Sequence, residues 1–286
     1  MKLMKSRLGT GVAATVIVVA AVAGHPARAQ SGGDLTARQL QGQTLYNRIC
    51  ATCHGRKGDG NGPAAKRLDP TPRDFTSGLF KFSSTTGGVQ PLDGDLIRTI
   101  SEGIPGTWMP AWKYHLDPDE IAAVVSYIKR FSDVFGEEMY EEDILLRSPE
   151  RPSDYAATSE SAAAGRLHYV TNKCAECHGE RGRGDGPAAG THEDSWGHRI
   201  MPTNLRSGVF RGGVREQDVY RALTTGLGGT PMPAYGEILS EQERWELVDY
   251  LLSLRSSKKW RSYLRSSPTW ENSSQQGRSS ARPKGD

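Results

Sequence analysis

Two stretches of this chain are nearly the same: CATCHGRKGDGNGPAA from Cys50 to Ala65 and CAECHGERGRGDGPAA from Cys174 to Ala189. Between them they hold all four cysteines, each time as Cys-x-x-Cys followed by histidine: Cys50, Cys53 and His54, then Cys174, Cys177 and His178. A duplicated motif of this kind constrains the fold more than composition does, because each copy must sit in the same local structure. Two domains are the natural reading, and 286 residues allow about 100 to 150 for each.

Two cysteines three apart near a helix end present both sulfurs to one side, where they can meet the two vinyl groups of a haem. The adjacent histidine then reaches the iron from that face. Cys-x-x-Cys-His is the signature of covalent c-type haem attachment, so two haem c groups are expected. Other readings compete. A zinc site built from two Cys-x-x-Cys units keeps them about 15 to 20 residues apart, whereas these lie more than a hundred apart. A thioredoxin-like pair needs a strand-helix context, and the surroundings read helical. Two structural disulfides are open as an alternative, although neither requires the histidine.

The likeness continues beyond the motif. At an offset of 130, Pro72 pairs with Pro202, Phe75 with Leu205 and Phe80 with Phe210; at 123, Asp95–Trp112 overlays Asp218–Tyr235 and Leu116–Ile128 overlays Leu239–Leu251. Each copy reads as three helices between glycine-rich loops. The first, at about 34–51 and 160–175, delivers the cysteines; a short second lies at about 94–102 and 216–225. The third has the clearest start signals: Asp117-Pro118-Asp119-Glu120 and the capping box Ser240-Glu241-Gln242-Glu243. Its apolar face has helical spacing, with Ile121, Val124, Val125 and Ile128, and later Leu247, Val248 and Leu251. The expected fold class is all-α, two tandem domains of about three core helices, each wrapped around a covalently bound haem. Hydrophobic residues are 36% of the chain, below the usual 45–50% or so, and a buried macrocycle supplies the missing apolar volume.

A second axial ligand is expected from Met109 and Met232, which lie 55 and 54 residues after the two histidines, each in a Gly-Thr-x-Met-Pro loop. A lone methionine is more often core filler; two at matched places in haem-bearing repeats point to ligation. Met201 also precedes a proline, but its counterpart is Thr71. His115, His168, His192 and His198 have no partners in the other copy, and Met139 falls in the linker.

Residues 1–29 read as a secretory signal: Lys2, Lys5 and Arg7 precede an uncharged run from Leu8 to Gly24, and Ala27-Arg28-Ala29 suits cleavage. An uncleaved anchor is the rival reading. Cleavage implies a periplasmic protein without a transmembrane anchor. Removing the signal's four basic residues from 36 leaves 32 against 33 acidic ones, so nothing in the charge suggests a nucleic acid partner. Domain 1 is then expected at 30–134 and domain 2 at 158–260. Between them, 135–157 reads as an acidic and proline-interrupted linker, either a solvated connector or a docking surface. A Ser/Arg-rich tail at 261–286 reads as disordered.

With these motifs the chain resembles the class I c-type cytochromes, specifically bacterial dihaem proteins with tandem cytochrome c domains. The resemblance covers about Asp34 to Ser256. It implies that the backbone carbonyls of Pro63 and Pro187 orient His54 and His178, and that Trp112 and Tyr235 lie near haem propionates; Arg73 could pair with a propionate, although its counterpart is Thr203. The function expected is electron transfer between redox protein partners through two His/Met-ligated haems, without catalytic residues, as a soluble carrier or a subunit of a respiratory or dehydrogenase complex. The alternative is a dihaem oxidoreductase such as a peroxidase or a sulfur-compound-oxidising cytochrome. A peroxidase needs a displaceable ligand, and cysteine ligation would need a fifth cysteine.

Overall fold

The computed structural model describes residues 34–85, 89–137, 139–140, 144 and 150–255. The expected signal and tail lie outside these residues, as does the middle of the linker.

The first half contains α1 (Ala37–Leu45), α2 (Ala51–His54), α3 (Asp93–Glu102) and α4 (Pro118–Ile128). The second half repeats the series as α5 (Ser159–Thr171), α6 (Cys174–His178), α7 (Glu216–Thr225) and α8 (Glu241–Ser253). No strand occurs among the described residues, and one isolated bridge joins Glu193 to Arg199. The fold is all-α, with two cytochrome c-like halves.

Local side chains explain where the helices begin. Asp117 accepts from the Glu120 N–H at 2.8 Å and Glu120 accepts from that of Asp117 at 3.0 Å, with Pro118 in the first helical position of α4. Ser240 and Glu243 form the same reciprocal box at α8, at 3.3 and 2.8 Å. At α3 and α7 an aspartate in the first turn reaches back instead: Asp95 accepts from the Leu92 N–H and Asp218 from that of Arg215, both at 3.2 Å. Thr36 and Thr158 cap α1 and α5.

In each half the first and last helices cross at a glycine. Gly42 of α1 lies against the Ala123 carbonyl of α4, and Gly165 of α5 against the Glu246 carbonyl of α8; a methyl group at either place would overlap the carbonyl oxygen. The close crossing buries Tyr46, Ile121, Val124, Val125 and Ile128 in one core. It buries Tyr169, Trp245, Leu247, Val248 and Leu251 in the other.

The first helix of each copy departs from the continuous one expected from the sequence. In the first half α1 widens into a π-helical turn over Tyr46–Cys50 before α2 begins. In the second half the chain breaks between α5 and α6, and Lys173 takes a left-handed φ of 57°, at a cost of roughly 1–2 kcal/mol for a residue with a side chain. The two breaks differ because four steps of chain separate Tyr46 from Cys50 but five separate Tyr169 from Cys174. Each half bends in its own way to bring its cysteines to the same place.

The linker is held at both ends. Phe135 packs edge-on to Phe80 with centroids 5.5 Å apart, and Gln90 donates to the Glu137 carbonyl at 2.9 Å. Arg151 pairs with Asp249 of α8 at 2.6 Å and Glu216 of α7 at 3.2 Å, over the face of Trp245. These described ends of the linker are packed against the fold.

Both halves lie within one compact unit that begins at Leu35. The Gly228 N–H donates across to the Lys81 carbonyl at 3.2 Å, and the Arg73 guanidinium lies 3.7 Å over the Trp196 ring. Trp196 belongs to the segment 191–200 that the second copy inserts. Among the described residues no helix is long and apolar enough to cross a membrane.

Candidate functional site

Each half carries an apolar cleft, of about 190 Å³ in the first and 240 Å³ in the second. Cys50, Cys53, His54 and Met109 line the first; Cys174, Cys177, His178 and Met232 line the second.

The glycine-rich segment after each histidine folds back over the cysteine turn. Gly60, Gly62 and Ala64 donate backbone N–H groups to the carbonyls of His54, Cys53 and Thr52 at 2.9, 3.1 and 3.0 Å. Gly184, Gly186 and Ala188 repeat this on His178, Cys177 and Glu176 at 2.8, 3.2 and 2.9 Å. A methyl at Gly62 would collide with the carbonyl oxygens of Thr52 and Cys53, so this close approach requires glycine.

The histidines are oriented from behind by main chain. His54 Nδ1 is 3.1 Å from the Arg73 carbonyl oxygen, and His178 Nδ1 is 3.1 Å from that of Thr203. A carbonyl can only accept, so Nδ1 carries the proton and Nε2 keeps its lone pair for a metal. This corrects the role expected of Pro63 and Pro187. Their turns face the cysteine helix, while residues 72–75 run behind the imidazole, tied there by the Phe75 N–H to the Gly58 carbonyl at 2.7 Å. Burial lowers the pKa of both imidazoles below the usual histidine value, and the carbonyl bonds offset only part of that effect. Neutral imidazole is the ligating form. Phe75 stacks on His54 with ring centroids 4.6 Å apart.

Across each cleft, Met109 and Met232 sit in loops of the same construction. Thr107 Oγ1 accepts from the Met109 N–H at 3.1 Å and donates to the Ile104 carbonyl at 2.8 Å; Thr230 does the same for Met232 and Leu227 at 3.2 and 2.8 Å. Gly103 and Gly226 end α3 and α7 at φ of 66° and 70°, pressed against the Met-Pro-Ala backbone. Met201 and His192 also line the second cleft, with Thr71 at the counterpart of Met201 in the first; Met201 is 63% exposed.

Trp112 lines the first cleft and Tyr235 the second. Burial pushes the Tyr235 hydroxyl up to about 12. The cysteines are free of disulfides. Burial pushes the Cys50 thiol up to about 12, with Cys53 adding to the shift, and burial raises Cys174 as well. These are protonated thiols in apolar surroundings. Among the described residues no cluster of three His, Cys, Asp or Glu is placed to hold a metal ion on its own. A paired thiol, a neutral imidazole and an apolar cleft fit covalently attached haem.

Comparison with known proteins agrees. The family model for Cytochrome c matches residues 162–255, and that for Cytochrome C oxidase, cbb3-type, subunit III matches residues 37–128. Cytochrome c55X of Stutzerimonas stutzeri is 33% identical over 123 residues, which are 42% of this chain and 84% of that protein. The chain belongs to the c-type cytochromes. Other relatives of this cytochrome are larger: the Cbb3-type cytochrome c oxidase subunit CcoP of Azospirillum brasilense is 26% identical over 80% of the chain, and FixP of Azorhizobium caulinodans 25% over 77%. The cytochrome spans 66% and 61% of their lengths. A chain of the reducing HAO-like protein complex of Kuenenia stuttgartiensis superposes with a TM-score of 0.68 at 38% identity, covering 78% of the cytochrome and 98% of that chain. The cytochrome has two cytochrome c domains.

Three contributors to the cytochrome's sites lay beyond the motif reading. The carbonyls of Arg73 and Thr203 act through the main chain, which side-chain identity does not report. Tyr46 and Tyr169 donate to the Gly55 and Gly179 carbonyls, and their signal is a shared place four or five residues before each cysteine pair. Lys81 and Arg211 line both clefts, and their signal is the basic residue that follows Phe80 and Phe210.

Proposed function

We propose that this cytochrome is an exported, periplasmic two-haem electron-transfer protein whose irons are each held between a histidine and a methionine, by His54 and Met109 in the first domain and His178 and Met232 in the second. It passes electrons between protein partners, as a soluble carrier or as a subunit of a redox complex. The observation that carries this reading is the occurrence of Met109 and Met232 on equivalent, hydrogen-bonded loops that line the same clefts as the cysteines and histidines.

Bound haem supplies a one-electron redox centre at each site. The protein's own residues set its properties. The carbonyls of Arg73 and Thr203 hold each Nδ1 proton and so strengthen the opposite nitrogen as a donor. The methionine thioethers are soft ligands that favour the ferrous state and raise the potential. Met109 and Met232, if ligating opposite the histidines, would leave no open position for a substrate, which separates this reading from a peroxidase. The relatives named as oxidase subunits and the Kuenenia complex favour a partner-bound role.

Electron paramagnetic resonance of the oxidised protein tests the reading. Two low-spin signals are expected, and Met109→Ala or Met232→Ala should each convert one haem to a different ligand state with a lower potential. A high-spin signal in the unaltered protein, or a Met232→Ala variant whose potential does not move, overturns the ligand assignment and brings Met201 or His192 forward.

A further inference from the structure

The two clefts share a wall, and the residues that build it are repeat counterparts. Lys81 and Arg211 align at the offset of 130, and each lines both clefts. Phe82 lines both as well. Its counterpart is Gly212, where a methyl would stand 3.2 Å from the Phe82 ring. One ring occupies the middle, where a second would collide.

Other equivalents meet here too. Asp95 pairs with Arg98 and Asp218 with Arg221, and Arg221 feels the charges of Arg98 and Asp95 across the boundary. The halves therefore face each other about an approximate two-fold relation. One position breaks it: Gly228 donates to the Lys81 carbonyl, whereas its counterpart Pro105 has no N–H to offer Arg211.

Charge is not balanced at this wall. Arg98, Arg215 and Arg221 have aspartate partners. Among the described residues, Arg73, Lys81 and Arg211 have none within 4.0 Å. Asp194 is the acid whose charge acts most on Arg73 and Lys81, and its carboxylate is already engaged by the N–H groups of Trp196 and His198. Burial pushes the Lys81 ammonium down to about 8, with Arg73 and Arg211 acting in the same direction and Asp194 opposing them. Buried next to the stacked Arg73, Trp196 Nε1 has no acceptor among the described residues. Arg73 and Lys81 are half-buried and Arg211 is exposed at the edge of the wall; half-buried cations and a buried N–H without partners are costly unless an anion completes them.

We propose that Lys81, Arg211 and Arg73 form a single anion seat, shared by the two clefts, that takes a carboxylate from each haem. The inference rests on the two-haem reading above. Its consequence is electrostatic. A positive charge beside a haem favours the reduced state, and Lys81 and Arg211 each line both clefts. A substitution in the first domain therefore moves the potential of the second.

The test is a spectroelectrochemical titration of the full two-haem protein at fixed ionic strength, with spin resonance on the same samples. Lys81→Gln should lower both midpoint potentials by several times the titration error, Arg211→Gln should do likewise, and Lys81→Arg should restore them. Arg206→Gln removes an exposed charge that lines neither cleft, and it should leave both unchanged. If Lys81→Gln and Arg211→Gln each move only one potential, or none, the shared seat is wrong. Failure of the His/Met reading is distinguishable, because it appears as altered axial signals in the unsubstituted protein.

Discussion

Tyr46 bridges the break in the first helix: its buried hydroxyl donates to the Gly55 carbonyl at 2.7 Å, one residue beyond the haem histidine. Tyr169 makes the same bond to Gly179 at 2.6 Å. Each bond ties the start of the bend to its end and fixes where the cysteines and histidine emerge. Tyr46→Phe removes that donor and leaves the Gly55 carbonyl with the Gly58 N–H alone. The expected loss is about 0.5–1.5 kcal/mol, read as a lower denaturant midpoint with an unchanged slope. Tyr169→Phe should cost a similar amount, and the double variant should be close to additive because the two tyrosines belong to separate cores.

The glycine crossings predict opposite signs for substitutions that look alike. Gly42→Ala and Gly165→Ala place a methyl on a carbonyl of the facing helix, so each should destabilise by about 1–3 kcal/mol or more, as overpacking does. Gly94 lies inside α3 with nothing within 4 Å of an added methyl. Gly94→Ala should stabilise by roughly 0.5–1 kcal/mol through helix propensity. Thermal unfolding of the three single variants decides this, and a neutral Gly42→Ala would remove the crossing from the account.

Helix α8 offers a pH-dependent test. The Glu243 carboxyl is held below its ordinary value by its hydrogen bonds to the Ser240 backbone and side chain. A depressed carboxylate contributes stability above about pH 4.5, its unfolded value, and loses it as the pH falls through the lower folded value. Ser240→Ala should cost about 1 kcal/mol at neutral pH. The gap between variant and parent should narrow below pH 4, as protonated Glu243 releases the box. A gap that stays constant to pH 3 would show that ionised Glu243 adds nothing to the cap at Ser240.

How much of this was legible in the sequence depends on where the information resides. The starts of α4 and α8 could be read because their signals, Asp117 to Glu120 and Ser240 to Glu243, are side chains within one turn. The place of Met109 and Met232 in the two clefts could be read because the repeat supplies a second example of each. The break after α1 could not, since its only trace is a one-residue difference between the Tyr46–Cys50 and Tyr169–Cys174 intervals. Gly42 and Gly165 look like weak helix residues until the facing carbonyls of Ala123 and Glu246 are seen. The family resemblance implied the carbonyls of Pro63 and Pro187, while the carbonyls that hold the histidines belong to Arg73 and Thr203, whose side chains do not match.

That mismatch has a consequence for how twin sites can become different. Arg73 and Thr203 perform one task with an atom common to every amino acid, so the identity of either residue is free to vary without loosening the imidazole. In the first domain that freedom is taken up by a guanidinium that reaches Trp196 of the second. In the second domain it holds a small hydroxyl. Anchoring and tuning are thereby uncoupled at a single position, and two domains of one ancestry can set unequal potentials, a downhill step from one to the other, while gripping their ligands identically.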